Sequence, residues 1–172
     1  NAGFGISGAV EFTDPKEAFT QLDVNFFGAL HCIQAVLPAM RAQKSGHIVN
    51  ISSVAAPIAI PFQAFYSATK AATNSLTLAL RNEVKPFGVK VCAILPGDVK
   101  TGFTAARKKS CAGAEVYGEA SDHAVAVMEH DEQNGMPPEL VSKAVLRASN
   151  AKNPKALATV WFQYQVFVLL SK

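Results

Sequence analysis

A chain of 172 residues, 49% hydrophobic and 17% charged, is long enough for one compact domain and too apolar for a disordered segment. The net charge of +3 is mild and Arg107–Lys109, the one basic cluster, reads as a solvated loop, so no nucleic-acid partner is expected. Cys32, Cys92 and Cys111 form no CxxC, and His31, His47, His123 and His130 have no ligand spacing. That excludes a metal site and fits a reducing, cytoplasmic setting.

In chain order, "NAGFGISG" opens the sequence with a possible strand end and three glycines, Gly3, Gly5 and Gly8, whose backbone can approach a partner closely. Asp14-Pro15 is a cap followed by proline at the first helical position, and apolar residues then recur at helical spacing from Lys16 to Ala42. "GHIVNIS" predicts a buried strand over residues 47–52, and "VKVCAILPG" predicts a second over 89–95. Between them lie a proline-punctuated apolar loop and a long helix over residues 64–85. Residues 98–136 are polar and weakly periodic. Prolines then open a helix over 136–151, and residues 157–160 predict a short last strand. "VWFQYQVFVLL" is interrupted by Gln163 and Gln165 and is too short to span a bilayer, and no signal peptide pattern is present. Apolar strands alternating with helices predict an α/β fold, a doubly wound, Rossmann-like parallel sheet covered on both faces.

In such sheets ligands sit beyond the C-terminal strand ends, where "NAG", "SSV" and "PGDVKT" fall. Tyr66 and Lys70 are one helical turn apart, so an ammonium can lower a phenol's pKa from near ~10. The plainer alternative is a chance surface pair. Ser53, thirteen residues before Tyr66, closes a buried strand and can donate to a substrate carbonyl; Ser52 is its rival, and a capping hydroxyl is the alternative. Asn25 is an amide inside an apolar helix, either a satisfied core group or the holder of a water beside the lysine.

"NAG", "NFFG", "GHIVNISS", "YSATK" and "PGDVKT", in this order and spacing across residues 1–101, resemble the successive motifs of the short-chain dehydrogenase/reductase family. The resemblance implies an oxidoreductase that moves hydride between NAD or NADP and a small-molecule carbonyl or alcohol. Tyr66 would be the general acid in reduction and the base in oxidation. Lys70 would lower its pKa and bond the nicotinamide ribose. Ser53, favoured over Ser52 by the family's spacing, would orient the substrate oxygen, and Asn25 would hold a relay water. Asn1, Ala2 and Gly3 would line the adenosine side of the cofactor. Pro96, Gly97, Val99 and Thr101 would cradle the nicotinamide, and the long helices over 15–42 and 64–85 would pack in a homodimer or homotetramer.

The family's glycine turn, TGxxxGxG, is missing, and "GFGISG" is not that turn. The chain opens on Asn and ends within an apolar run. The resemblance therefore implies a C-terminal two-thirds of one domain, residues 1–172, holding strands 4 to 7 with strand 4 as an open edge and inactive by itself. Residues 102–136 are the expected substrate loop, in which "HAVAVMEHDEQNG" is either a lid helix or a surface helix. Ile58, Ile60 and Phe62 suggest an apolar pocket and a lipophilic ketone or alcohol, steroid- or retinoid-like compounds included. Two other functions fit parts of the pattern: a nucleotide-sugar epimerase or dehydratase, and a non-catalytic module with the same fold. The "NIS" sequon at Asn50–Ser52 falls in a predicted buried strand and is set aside.

Overall fold

The computed structural model describes residues 1–170; Ser171 and Lys172, the end of the "FVLLSK" run, lie outside the described residues. Strand β1 (Ile6–Ser7) leads to helix α1 (Pro15–Leu22), a π-helical turn (Asp23–Phe27) and helix α2 (Gly28–Gln43). Strand β2 (Gly46–Ile51), helix α3 (Ala64–Glu83) and strand β3 (Val89–Leu95) form the centre. Strand β4 (Lys108–Lys109), helix α4 (Ala114–Gln133), helix α5 (Pro138–Asn150), strand β5 (Leu157–Thr159) and helix α6 (Phe162–Leu170) complete it.

The architecture is the expected Rossmann-like α/β arrangement. β2, β3 and β5 make a parallel sheet in that order, with Ile51 opposite Ile94 and Leu95 opposite Thr159. Alternation sends successive strand residues to opposite faces. Ile48 and Val91 join Ile33, Leu80 and Val84 under α2 and α3, whereas Cys92 and Ile94 join Met136, Ala148 and Tyr164 under α5 and α6. The Pro15–Gln43 stretch is long and apolar enough to cross a membrane by length and composition alone; here it packs against α3 and β2.

Two expectations need correction. The "NAG" segment is not a strand: residues 1–5 lie in no strand, and the N–H and C=O of the adjoining Phe4 bond the Asn25 and Gln21 side chains. The open edge of the described sheet is consequently β2 and not the "NAG" strand. The helix expected over 16–42 runs from Pro15 to Gln43, with a π turn at "DVNFF" that slips one backbone hydrogen bond and in which Asn25 is buried.

Residues 98–136 also hold more order than their weak periodicity predicts. β4 pairs in parallel with β1, and the glycines of "GFGISG" make room for that pairing. A Cβ on Gly5 would lie 3.1 Å from the Phe103 ring, and one on Gly8 would lie 2.9 Å from the Ser110 Cβ. These glycines serve close packing of the 101–112 segment.

Gly88 ends the turn into β3 with φ of 72°, and a Cβ there would overlap the Lys44 carbonyl oxygen. Gly88→Ala is expected to destabilise the protein by about 2 kcal/mol, from left-handed strain and the displaced turn. Urea denaturation of the full-length protein checks this, and an unchanged midpoint would refute it.

Candidate active site

The C-terminal ends of β2 and β3 and the first two turns of α3 enclose a cavity of about 420 Å³. Its walls include Ser53, Tyr66, Lys70, Asp98, Phe103 and Glu132. The loops after the two strands are tied together: the Ser52 N–H donates to the Ile94 carbonyl at 2.8 Å and the Val54 N–H to the Pro96 carbonyl at 2.9 Å. Ser53 and the Pro96–Thr101 segment are thereby held beside one another.

The two serines separate cleanly. The Ser52 hydroxyl donates to the Lys70 backbone carbonyl at 3.2 Å, so it fastens α3 to the strand end. The Ser53 hydroxyl accepts from the Ala55 N–H at 3.1 Å and lies close enough to the Tyr66 phenol to lower its pKa. Ser53, rather than Ser52, is thus the serine beside the phenol.

Lys70 is buried and its Nζ donates to the Ile51 carbonyl at 2.9 Å. The same Nζ lies 5.6 Å from the centroid of the Tyr66 ring. Burial pulls the ammonium's pKa down to about 8. Tyr66 is half-buried, and desolvation pushes its phenol up to about 12, against a smaller lowering by the Ser53 hydrogen bond. Glu132 and Asp98 add to the rise and Arg107 opposes it. The expectation of a lowered phenol pKa is thus reversed in this structure. The lysine spends its nearest bond on Ile51, and loss of water dominates the phenol.

Asn25 is buried in the π turn. Its Oδ1 accepts from the Phe4 N–H at 3.0 Å, while its Nδ2 donates to the Phe4 carbonyl at 3.0 Å and to Thr69 Oγ1 at 3.3 Å. Its amide thus locks the "NAG" segment to α3 one residue before Lys70. A Cβ on Gly3 would lie 3.1 Å from Asn25 Oδ1 and 4.0 Å from Lys70 Nζ, so glycine keeps the approach to the lysine open. Asn1, Pro96, Gly97, Val99 and Thr101 line the cavity, while Ala2 and Gly3 are exposed beside its mouth. An open glycine edge, a buried ammonium and a backbone loop at strand ends fit the nicotinamide half of a dinucleotide.

Several cavity residues escaped sequence reasoning. The Phe103 ring packs against that of Tyr66 with centroids 5.4 Å apart and a tilt of 56°. Glu132, near the C-terminal end of α4, accepts from Thr104 Oγ1 at 2.6 Å and pairs with the buried Arg107. These contacts put both ends of the 102–136 region at the cavity. Of Ile58, Ile60 and Phe62, the residues expected at the pocket, Ile60 alone lines the cavity; Phe62 packs edge-on against Tyr117 instead, and Ile58 lies outside the walls. Among the described residues no group of three or more His, Cys, Asp or Glu could hold a metal.

Comparison with known proteins points the same way. The family model described as short chain dehydrogenase matches residues 1–112. A curated 3-ketodihydrosphingosine reductase of Bacteroides thetaiotaomicron is 40% identical across the whole chain, which spans 65% of that protein. A short-chain dehydrogenase structure from Streptomyces avermitilis is 30% identical with a TM-score of 0.87, covering 98% of this chain and 62% of that one. One from Burkholderia cenocepacia, in complex with NADP, is 25% identical with a TM-score of 0.74 and the same coverage.

The lowered pKa of Lys70 has a consequence for stability. Between about 8 and the unfolded value of 10.5 the unfolded chain holds a proton that the folded chain has released. Stability therefore rises with pH through that window, by at most about 1.4 kcal/mol per pH unit. Above the phenol's ordinary value of 10.0, Tyr66 acts oppositely, because the folded protein keeps its proton up to about 12. Lys70→Met is expected to abolish the rise, read from urea unfolding between pH 7.5 and 10; an identical slope in both proteins would refute it.

Proposed function

The chain belongs to the short-chain dehydrogenase family, and on that premise we propose that the whole protein is an NAD(P)-dependent oxidoreductase interconverting a carbonyl and an alcohol. The observation that carries this reading is the convergence of Ser53, Tyr66 and Lys70 on one cavity whose rim is the Pro96–Thr101 loop. The NADP-bound neighbour supports the choice of cofactor. The 3-ketodihydrosphingosine reductase supports a lipophilic ketone as substrate, as does the largely apolar wall formed by Val54, Ile60, Val99 and Phe103.

The residues divide the work in a physically ordered way. Bound nicotinamide supplies or takes the hydride. Ser53 Oγ is placed to donate to the substrate oxygen while the phenol of Tyr66, on the same oxygen, transfers the proton. With its pKa raised by burial the phenol is protonated at neutral pH, the state from which an acid role in carbonyl reduction starts. The negative charge left on Tyr66 after transfer is then met by the Lys70 ammonium, mostly protonated below about 8. Asn25 and Ser52 act one step back. The amide holds the "NAG" segment beside the lysine, and the hydroxyl anchors the α3 backbone at Lys70 itself. Phe103 covers the phenol and limits access of water to it.

We extend the reading to assembly. The outward faces of α2 and α3 carry exposed apolar side chains, Val36 and Leu78 among them, which suits packing of these helices in a homodimer or homotetramer.

Tyr66→Phe in the full-length protein is expected to lower kcat for carbonyl reduction by about 100-fold or more while NAD(P)H binding is kept. Steady-state turnover with calorimetric cofactor binding checks it. Unchanged turnover would remove Tyr66 from the reaction.

A further inference from the structure

Asp98 follows Pro96-Gly97 and lines the same cavity as Ser53 and Tyr66. It is held by a residue outside the stretch that the family model matches. The hydroxyl of Tyr164, on α6, donates to Asp98 Oδ2 at 2.6 Å and accepts from the Asp98 backbone N–H at 3.1 Å. The Tyr164 ring lies flat on Gly97, where a Cβ would overlap it. One hydrogen bond to the carboxylate, a second to the Asp98 backbone and the packed ring together hold Asp98 in place.

The charge balance of the cavity singles out this group. The other carboxylate in the wall, Glu132, is already neutralised by buried Arg107 and bonded by Thr104. Lys70 is engaged with the Ile51 carbonyl. Among the described residues no lysine, arginine or histidine forms an ion pair with Asp98. A partly buried carboxylate without a counter-ion is costly, and a ligand cation relieves that cost. Its position in the wall shared with Tyr66 puts such a cation close to the reacting carbonyl.

We propose that Asp98, positioned by Tyr164, is a specificity residue that receives a cationic amine next to the substrate carbonyl, so that the preferred substrates are α-amino ketones. This rests on the oxidoreductase reading and narrows its substrate class. The compound in the relative's name, 3-ketodihydrosphingosine, is a long-chain ketone with an amine on the adjacent carbon. The apolar wall beside the cavity suits the chain of such a molecule, and Asp98 suits its amine.

The test uses full-length protein with a soluble matched pair, 2-aminooctan-3-one and octan-3-one. The wild type is expected to prefer the amino ketone in kcat/KM, chiefly through KM. Asp98→Asn is expected to lower that preference ratio by about 10- to 100-fold. Asp98→Glu should restore part of it, and Tyr164→Phe should lower it several-fold by releasing the carboxylate. If Asp98→Asn abolishes turnover, the same ratio is read from calorimetric binding of 2-aminooctan-3-ol against octan-3-ol. A ratio in Asp98→Asn within about twofold of the wild type's overturns the assignment. Wild-type turnover of octan-3-one without any preference for the amine also overturns it, while leaving the oxidoreductase reading intact. Turnover of neither ketone, with Asp98-dependent binding of the amino alcohol, supports the cation site and counts against the oxidoreductase reading.

Discussion

The Lys70 ammonium reaches from the second turn of α3 to the carbonyl of Ile51, the last residue of β2, at 2.9 Å. That one bond sets the height of the helix on the sheet. From the other side, the Ser52 hydroxyl grips the carbonyl of Lys70, so strand end and helix hold each other reciprocally. With α3 fixed at this level, Tyr66 one turn earlier must arrive beside Ser53, and the loop after β3 must close the remaining side. A helix displaced by one residue would rotate the phenol by about 100° and carry it off the serine.

Holding a charge there has an energetic cost that the fold absorbs elsewhere. A buried ammonium bonded to a neutral carbonyl is less stable than one in water, which is what its lowered pKa expresses. Many of the surrounding polar groups are bonded: Asn25 binds Phe4 and Thr69, Asn50 binds Thr77 at 2.9 Å, and Thr73 and Thr77 bond back along α3, while the buried Ser67 hydroxyl and Asn74 Oδ1 on the same helix have no partner among the described residues. The apolar cluster of Ile33, Ile48, Leu80, Val84, Val89 and Val91 lies under the other end of α3. Stability and chemistry are thus separated along one helix. Its C-terminal half packs, and its N-terminal half carries the strained electrostatics.

How much of this could be read from the chain depends on the range of each interaction. Tyr66 and Lys70 share a helical face, and Ser53 ends an apolar run, so local periodicity was enough to place them. The resemblance added the order of the motifs and Asn25. The π turn around Asn25 left no trace, because one slipped hydrogen bond changes no hydrophobic pattern over "DVNFF". Some long-range contacts were out of reach for another reason. Arg107 with Glu132 and Asp98 with Tyr164 join positions 25 and 66 residues apart, in a stretch and a helix with no signature of their own. The glycines of "GFGISG" do permit the close approach expected of them, and the partners are Phe103 and Ser110.

Contacts of the 102–136 region explain why a stretch so weakly patterned is ordered at all. β4 has only two residues, too few to stand alone, yet its pairing with β1 is reinforced at three points. The Phe103 ring packs at a tilt against Tyr66, Arg107 is buried against Glu132, and Gly5 and Gly8 let the backbones close. The first two of these ties use groups that line the cavity, Phe103, Tyr66 and Glu132. Ordering the 102–136 region and shaping the cavity therefore share interactions, so sequence change there alters both together. The strand ends beneath, locked by Lys70 and Ser52, are insulated from that change.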